Sequence, residues 1–226
     1  MLARGKEGKL EILLLKRNKA LVFAGGLWVF PGGKIEKSEI EQTENELEAA
    51  RLAAVRETKE ETNVDVNPQD LIFFRHWTTP ENEPRRYATY FFFGEVNGYS
   101  KVEIDDSEIK DHVWLHPQAA LDRLSEGNLA MLPPTIMTLQ LIRKCNSVKE
   151  IRTKLSNEEP IFVLPVLDAV TGKMVCIYEG DVSYETGNSK IEGARHRLTI
   201  DMKTGNFDFE YEGCDHITPV NGGMHL

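Results

Sequence analysis

From Glu44 to Thr62 the chain contains neither proline nor glycine and is rich in Ala, Glu, Leu and Arg. All four are good helix formers, so the stretch predicts a long helix around which the neighbouring segments must be arranged. Thr43, with Glu46 three residues on, offers a capping box at its start, and Asn63 offers a stop. Upstream, Leu10–Leu15 reads as a strand running into Lys16-Arg17, and Leu27–Phe30 as another ahead of the turn Pro31-Gly32-Gly33. Downstream, Leu71–Trp77, Tyr87–Val96 and His112–Leu115 have strand composition, and further helices are expected over Gln118–Leu124 and Thr135–Lys149. Strands and helices mixed in this order point to an α/β domain.

The character changes after the polar stretch Arg152–Pro160. "PIFVLPVLD", "KMVCIYEG", "RHRLTIDM" and "FDFEYEG" are short strand-like runs separated by turn pairs such as Thr171-Gly172 and Thr204-Gly205. The expected organisation is a domain over 1–150, a linker over 151–159 and a β-rich C-terminal extension over 160–226. No internal repeat interrupts it.

Three carboxylates on the long helix raise the question of function. Glu57, Glu60 and Glu61 stand at i, i+3 and i+4, so they share one arc of the helix wherever it starts. Like charges at that spacing repel unless a cation compensates, and a hard divalent cation such as Mg²⁺ favours such oxygen ligands. A solvated acidic face accounts for the same residues in a chain that is 28% charged. Ala50, Ala53 and Ala54 lie near the same arc, where a loop or ligand could come close, while Leu52, Val55 and Thr62 lie roughly opposite and are expected to face the sheet. The glycine pair at 32 and 33 tips the balance toward a site, since it lets backbone approach phosphate oxygens.

Charge and cysteine usage bound the ligand and the setting. With 27 basic and 36 acidic residues the net charge is −9, which disfavours broad attraction to nucleic acid or anionic lipid. A polyanionic ligand therefore needs locally placed cations. Cys145, Cys176 and Cys214 are odd in number and lack CxxC spacing, which fits a reducing, cytoplasmic setting. Ala20–Gly33, uncharged but glycine-rich, is too short to cross a bilayer, and no signal-peptide layout precedes it. The histidines form no HExxH pattern, and neither a Walker loop nor a dinucleotide-binding glycine fingerprint is present.

The segment from Gly33 resembles the signature of the Nudix hydrolases: Gly, five residues, Glu, seven residues, then Arg-Glu-aliphatic-any-Glu-Glu-any-Gly-aliphatic. Gly33 is followed after five residues by Glu39, and the second half stands as Arg56-Glu57-Thr58-Lys59-Glu60-Glu61-Thr62-Asn63-Val64. Seven residues before Arg56 stands Glu48, so the halves are separated by 48 − 39 = 9 extra residues. Thr58 replaces the usual aliphatic residue and Asn63 the usual Gly; Asn tolerates the left-handed conformation of a helix stop. "TTPENEPRRYATYFFFGEV", "DSEIKDHVWLHPQAALDR", "LPPTIMTLQLI" and "GARHRLTID" are similar to the subgroup containing the mammalian peroxisomal coenzyme A diphosphatase with an interrupted box and its bacterial relatives. That subgroup often carries Asp where this chain has Ala88.

The resemblance implies an α/β/α sandwich with a mixed sheet. It implies Mg²⁺- or Mn²⁺-dependent hydrolysis of a small-molecule diphosphate, a coenzyme A derivative among the candidates, with the metal on Glu57, Glu60 and Glu61 and with Arg56 orienting them. For the general base, "DDSEIKDHVW" offers Asp105, Asp106 and Glu108, of which Glu108 is chosen; an acidic surface loop is the plain alternative. Gly32 and Gly33 would approach the substrate, and Arg85 and Arg86 would pair with its phosphates, unless they are ordinary strand-edge charges. Trp28, Trp77, Tyr87 and Phe91 fit either the core or base stacking. Arg195-His196-Arg197 either reaches the site or alternates along a strand. A non-catalytic nucleotide-ligand sensor on the same fold, with the extension as a partner or homodimer contact, is the competing function.

Overall fold

In the computed structural model of the 226-residue chain, residues 1–80 and 86–214 are described. Arg85, His216, His225 and the closing residues lie outside them. The strands are β1 (Leu2–Lys6), β2 (Lys9–Arg17), β3 (Trp28–Val29), β4 (Ile72–Thr78), β5 (Ala88–Glu95), β6 (Ile109–Leu115), β7 (Ile161–Val163), β8 (Val166–Val170), β9 (Lys173–Ile177), β10 (Arg195–Asp201) and β11 (Phe207–Glu212). The helices are α1 (Lys37–Glu41), α2 (Glu46–Thr62), α3 (Pro117–Ser125), α4 (Pro133–Ile142) and α5 (Val148–Asn157). They fall into two compact units, Met1–Phe74 with Tyr90–Glu158 and Arg75–Thr89 with Glu159–Leu226.

The first unit is built on a mixed sheet in the order β3-β2-β1-β5-β4, with β6 antiparallel to β2. β1 pairs antiparallel with β2 but parallel with β5. Ile12, Leu13, Leu14 and Leu15 are each no more than 1% exposed. Consecutive strand residues point to opposite faces, so β2 is covered on both sides, as an α/β layering requires. Leu13 and Leu15 pack with Leu2, Val64, Val96, Val102 and Ile109.

Helix α2 docks by its small residues. Ala50 packs with Leu71 and Phe92, with Leu47, Ala54, Val55 and Phe73 around them, and Ala53 is buried as well. The alanine arc thus brings the helix close to other side chains, so of the two occupants the sequence allowed there a loop, at Leu71, is the one present. The N-cap is Asn45, whose side chain accepts the Glu48 N–H at 3.0 Å. Thr43 instead donates its hydroxyl to the Glu39 carbonyl at 2.9 Å, so the expected Thr43–Glu46 capping box does not form. Asn63 ends the helix at φ 56°, its N–H returning to the Lys59 carbonyl.

Two other expectations change. The single helix over 135–149 is two, α4 and α5, separated by a turn in which Cys145 N–H bonds to Ile142 and Ser147 caps α5 by accepting the Glu150 N–H. Residues 151–157, expected as linker, are the body of α5, with Val148, Ile151 and Leu155 buried at i, i+3 and i+7. That apolar stripe was masked by the charged residues between its members.

The second unit holds an antiparallel sheet in the order β11-β10-β9-β8, and within it β7 pairs parallel with Arg75–Trp77 of β4. Its strands lie at the four runs the sequence marked, the first of which is divided into β7 and β8, and Gly172 and Gly205 turn the chain at φ 75°. The Arg195-His196-Arg197 cluster is part of this unit's framework. Arg197 is buried and forks onto Asp181, Nε to Oδ2 at 2.7 Å and Nη2 to Oδ1 at 2.5 Å, while Nη1 reaches the Ser189 carbonyl at 2.6 Å. Asp181 also accepts the N–H groups of His196 and Ser183, both at 2.8 Å. Burial raises the Asp181 pKa, but the bonds from Arg197, His196 and Ser183 outweigh it and hold the carboxyl below its usual value.

Because the folded pKa lies below the unfolded one, Asp181 contributes stability above the ordinary aspartate range that is lost as pH falls through the lowered value. Asp181→Ala should cost this unit about 3 kcal/mol by stranding a buried guanidinium, and should flatten the acid limb of its stability profile. Hydrogen exchange across β9 and β10 at pH 3 to 7 would check both. For α2, Asn63→Val should lose roughly 1 to 2 kcal/mol in urea unfolding, whereas Asn63→Gly should change stability by no more than a few tenths.

Candidate functional site

The C-terminal half of α2 presents its glutamates toward the turn that follows β3. Arg56 organises them. Its Nε donates to Glu39 Oε1 at 2.9 Å, Nη1 to Glu57 Oε1 at 2.9 Å and to Glu60 Oε2 at 3.1 Å, and Nη2 to the Lys34 carbonyl at 2.9 Å. These are hydrogen bonds of ordinary length, each assisted by the guanidinium charge. The bond to Glu39 is the leading reason that the guanidinium holds its proton more tightly than usual; burial opposes it, and Glu57 adds to it.

Glu39 explains how the interrupted signature closes. It sits on α1, is only 6% exposed, and also accepts the Glu36 N–H at 2.7 Å as part of a capping box. The nine extra residues, 40–48, are taken up by the end of α1, the turn 42–45 and the first residues of α2. Glu39, six positions after Gly33, is thereby brought to Arg56. Glu48, the alternative by spacing alone, pairs with Arg51 at 3.3 Å and does not join the cluster.

The glycine pair is shaped to the carboxylates. Gly32 donates its N–H to Glu61 Oε2 at 2.9 Å. At Gly33 a Cβ would overlap the carboxylate of Glu57, so any side chain there would displace that group. Glu61 is 5% exposed, and burial pushes its carboxyl up to about 8; the Gly32 bond and Arg17 pull it down, while Glu57 and Glu108 push it up. A buried carboxylate that repels its neighbours gains from any added positive charge. Glu60 is the most open of the three, its side chain 58% exposed.

Glu108 reaches the same cluster from the loop before β6. Arg17, the last residue of β2, has Nη2 3.5 Å from Glu108 Oε2 and Nη1 3.9 Å from Glu61 Oε1. The loop is stapled to β2 by Asn18, whose N–H donates to the Glu108 carbonyl at 2.7 Å and whose side chain donates to the Ser107 carbonyl at 2.9 Å. Asp105 is its organiser: it accepts the N–H groups of Ser107, Glu108 and Ile109. Burial raises its pKa, and these bonds together with the Ser107 hydroxyl more than offset that. Asp106 pairs with Lys110. Of the acidic residues in this loop, Glu108 is the one joined to the α2 glutamates.

The structure therefore gathers Arg56, Glu57, Glu60, Glu61, Glu108, Gly32 and Gly33 in one place. Arg86 is exposed and belongs to the second unit, and Arg85 lies outside the described residues. Trp28 and Trp77 are buried, at 7% and 6% exposure, and Phe91 packs on Phe74, so these aromatics serve the core. Glu39 and Arg17 join the site without having been assigned to it. Glu39 was legible as the first Glu of the signature; Arg17 had no signal beyond ending a strand.

Among the described residues, no group of three His, Cys, Asp or Glu side chains stands in a ready metal-holding constellation. The donors are nonetheless of the right kind. Carboxylate oxygens on one helix arc, beside a backbone with no Cβ, are what a hard divalent cation uses. No described helix is long and apolar enough to cross a membrane.

Comparison with known proteins bears on the same segment. The NUDIX domain model matches residues 1–133. "Putative nudix hydrolase 7" of Caenorhabditis elegans is 25% identical over 233 residues, covering 84% of this chain and 77% of its own length. Nudix hydrolase 8 of Arabidopsis thaliana is 34% identical over 106 residues, which is 46% of this chain but only 26% of that protein. The crystal structure of a NUDIX hydrolase from Alicyclobacillus acidocaldarius superposes with a TM-score of 0.59 at 20% identity, over 70% of this chain and 96% of that one. A family model that spans more than half of the sequence, the signature's charged residues gathered around Arg56, and a shared fold lead to one conclusion: the chain belongs to the NUDIX domain family and is a Nudix hydrolase.

Proposed function

We propose that this enzyme cleaves the diphosphate bond of a nucleoside diphosphate linked to a further moiety, with coenzyme A derivatives as the substrate class. Hydrolysis of such pyrophosphate linkages is what membership of the Nudix hydrolases implies. The finer assignment rests on the sequence likeness to the coenzyme A diphosphatase subgroup. The observation that carries the catalytic reading is Glu57 seated against Gly33 and Glu61 bound to the Gly32 N–H, with Arg56 tying Glu57 and Glu60 to Glu39. Such an arrangement is costly for a merely solvated helix face, because it buries like charges side by side.

Nudix hydrolases generally use divalent cations, and Glu57, Glu60 and Glu61 are the residues that would hold Mg²⁺ or Mn²⁺ here. When bound, the cation supplies positive charge against the diphosphate and makes water a better nucleophile at neutral pH. The chain's own residues do the rest. Arg56 fixes the carboxylates, so that little reorganisation is needed when charge develops. Glu108, on a loop braced by Asp105 and Asn18, takes the proton from the attacking water as general base. Gly32 and Gly33 let the backbone approach the phosphates. Cys145, Cys176 and Cys214, odd in number and without CxxC spacing, support a cytoplasmic setting.

Glu60→Gln and Glu61→Gln should each lower Mg²⁺-dependent turnover by about 100-fold or more while the chain stays folded. Unchanged turnover in both would remove the metal assignment. Gly33→Ala should displace Glu57 and cost roughly 10- to 100-fold in kcat, with a far-UV spectrum like that of the parent. Release of products from coenzyme A, ADP-ribose, dinucleoside polyphosphates and nucleotide sugars, followed with Mg²⁺ and with Mn²⁺, tests the substrate class. Coenzyme A and its acyl derivatives are expected to turn over fastest.

A further inference from the structure

The face of the sheet turned away from α2 carries a cleft that the catalytic reading leaves unused. Alternation along β2 separates the two faces. Arg17 meets Glu61 of α2, so its neighbour Lys16 points the other way. The register shift beside them leaves Lys110 of β6 out of the pairing and keeps the alternation of β2 intact, with Lys16 opposite Asp111 and Arg17 opposite Ile109. The same division holds on β3. Val29, paired with Leu15, packs into the cluster that contains Val64, just after α2, whereas Trp28 is paired with Lys16 and has the Lys16 ammonium over its ring at 5.6 Å. Trp28, Lys16 and Asp111 thus form one row across three strands.

Beyond this row α3 ends and the chain turns back. Gly127, at φ 75°, lets the N–H groups of Asn128 and Leu129 return to the Arg123 carbonyl at 2.8 and 3.2 Å. The chain then runs beside β3, with the Trp28 N–H on the Ala130 carbonyl at 2.8 Å. Between this turn and the sheet lies an open cleft of about 320 Å³, at the small end of the roughly 300–1,000 Å³ range of ligand pockets. Trp28 and Leu129 give it an apolar wall, and Asp111, Arg123, Glu126 and Asn128 a polar rim. Asp111 and Glu126 balance Arg123 and Lys16, so the cleft has no surplus positive charge to offer a phosphate.

Part of the rim's hydrogen-bonding capacity is already committed. One Asp111 oxygen accepts the His112 N–H at 2.8 Å, and one Glu126 oxygen accepts from the Asn128 amide at 3.0 Å. Among the described residues, the second oxygen of each carboxylate is left as an acceptor, and the exposed Arg123 guanidinium as a donor. An apolar wall edged by acceptors and a donor fits a flat heterocycle that carries an amino group beside a ring nitrogen. We infer that this cleft is a second ligand site, separate from the carboxylates of α2, that takes the amino-purine ring of a nucleoside. The site goes beyond the diphosphatase reading and does not rest on it.

Adenosine, which has no phosphate, isolates the site. Titrated by calorimetry without metal, it should bind the parent with one equivalent per chain, and inosine, with a carbonyl in place of the amino group, should bind at least 10-fold more weakly. Asp111→Ala and Glu126→Ala should each weaken adenosine by about 10-fold and reduce its preference over inosine, with turnover in the absence of adenosine like that of the parent. Both residues are exposed, and the inosine comparison tests the parent itself should a variant misfold. Glu61→Gln should leave adenosine affinity within two-fold. Absence of adenosine binding, equal binding of inosine, or parent-like affinity in both alanine variants would overturn the inference. Loss of adenosine binding in folded Glu61→Gln, or a several-fold rise in KM alone when adenosine is added to a turned-over substrate, would place the ring in the catalytic cleft and overturn the separate site. None of these outcomes touches the metal-dependent turnover on which the diphosphatase reading is tested.

Discussion

Everything at this site depends on one guanidinium. Arg56 is on α2, but the groups it holds come from α1, from the Lys34 carbonyl after the glycine turn, and from its own helix one position and one turn on. Without that fork, Glu39, Glu57 and Glu60 would present their charges to one another, and the glycine turn would lose a tether to the helix. Planarity matters as much as charge. A lysine ammonium could neutralise the same carboxylates but could not fix them in several directions at once.

The interrupted signature makes sense in these terms. Nine residues inserted into a helix would rotate every later side chain by an arbitrary angle; inserted into a connection, they need only close a loop, whose entropic cost grows slowly with length. Here the extra residues run from the end of α1 across the four-residue turn 42–45 into the first turn of α2, where Thr43 donates to the Glu39 carbonyl and Asn45 accepts the Glu48 N–H. The phase of Glu57, Glu60 and Glu61 is untouched. The part of the signature that tolerates no insertion is the part that depends on helical spacing.

What the sequence disclosed follows the range of the interaction involved. Helix α2, its stop at Asn63, strands β2 to β6 and the C-terminal sheet are set by local composition and turn residues, and they lie close to where the sequence put them, whereas β1 and α1 carried no such signal. Four features differ because they depend on contacts made at a distance, among them the division of the helix expected over 135–149 into α4 and α5. Thr43 had the composition of a cap, yet Asn45 took the position; the alanine arc, which the sequence left to a loop or a ligand, is a packing face. The charged segment at 151–157 hid the buried residues Ile151 and Leu155. At the site, the glutamates were legible because helical periodicity brings them together without help from the rest of the chain. Arg17 was not, because it meets Glu108 only when β6 pairs with β2, 91 residues apart in sequence. Arg195 to Arg197 were ambiguous for the same reason: nothing local reveals that Asp181 awaits Arg197.

Charge accounting then limits what the enzyme can admit. Glu39, Glu57, Glu60, Glu61 and Glu108 converge, and the guanidiniums tied to them are Arg56 and Arg17. Arg56 is saturated, so the cluster is left strongly negative in a chain whose net charge is already −9. A diphosphate approaching such a surface is repelled at long range and held only where its oxygens meet cations at close range. Attraction confined to a few ångströms rewards a ligand whose phosphates fit between those cations and gives little to an extended polyanion that needs a broad positive face. The same acidity that works against a phosphate-cleaving enzyme at long range therefore leaves close-range placement of positive charge as what an anionic ligand can use.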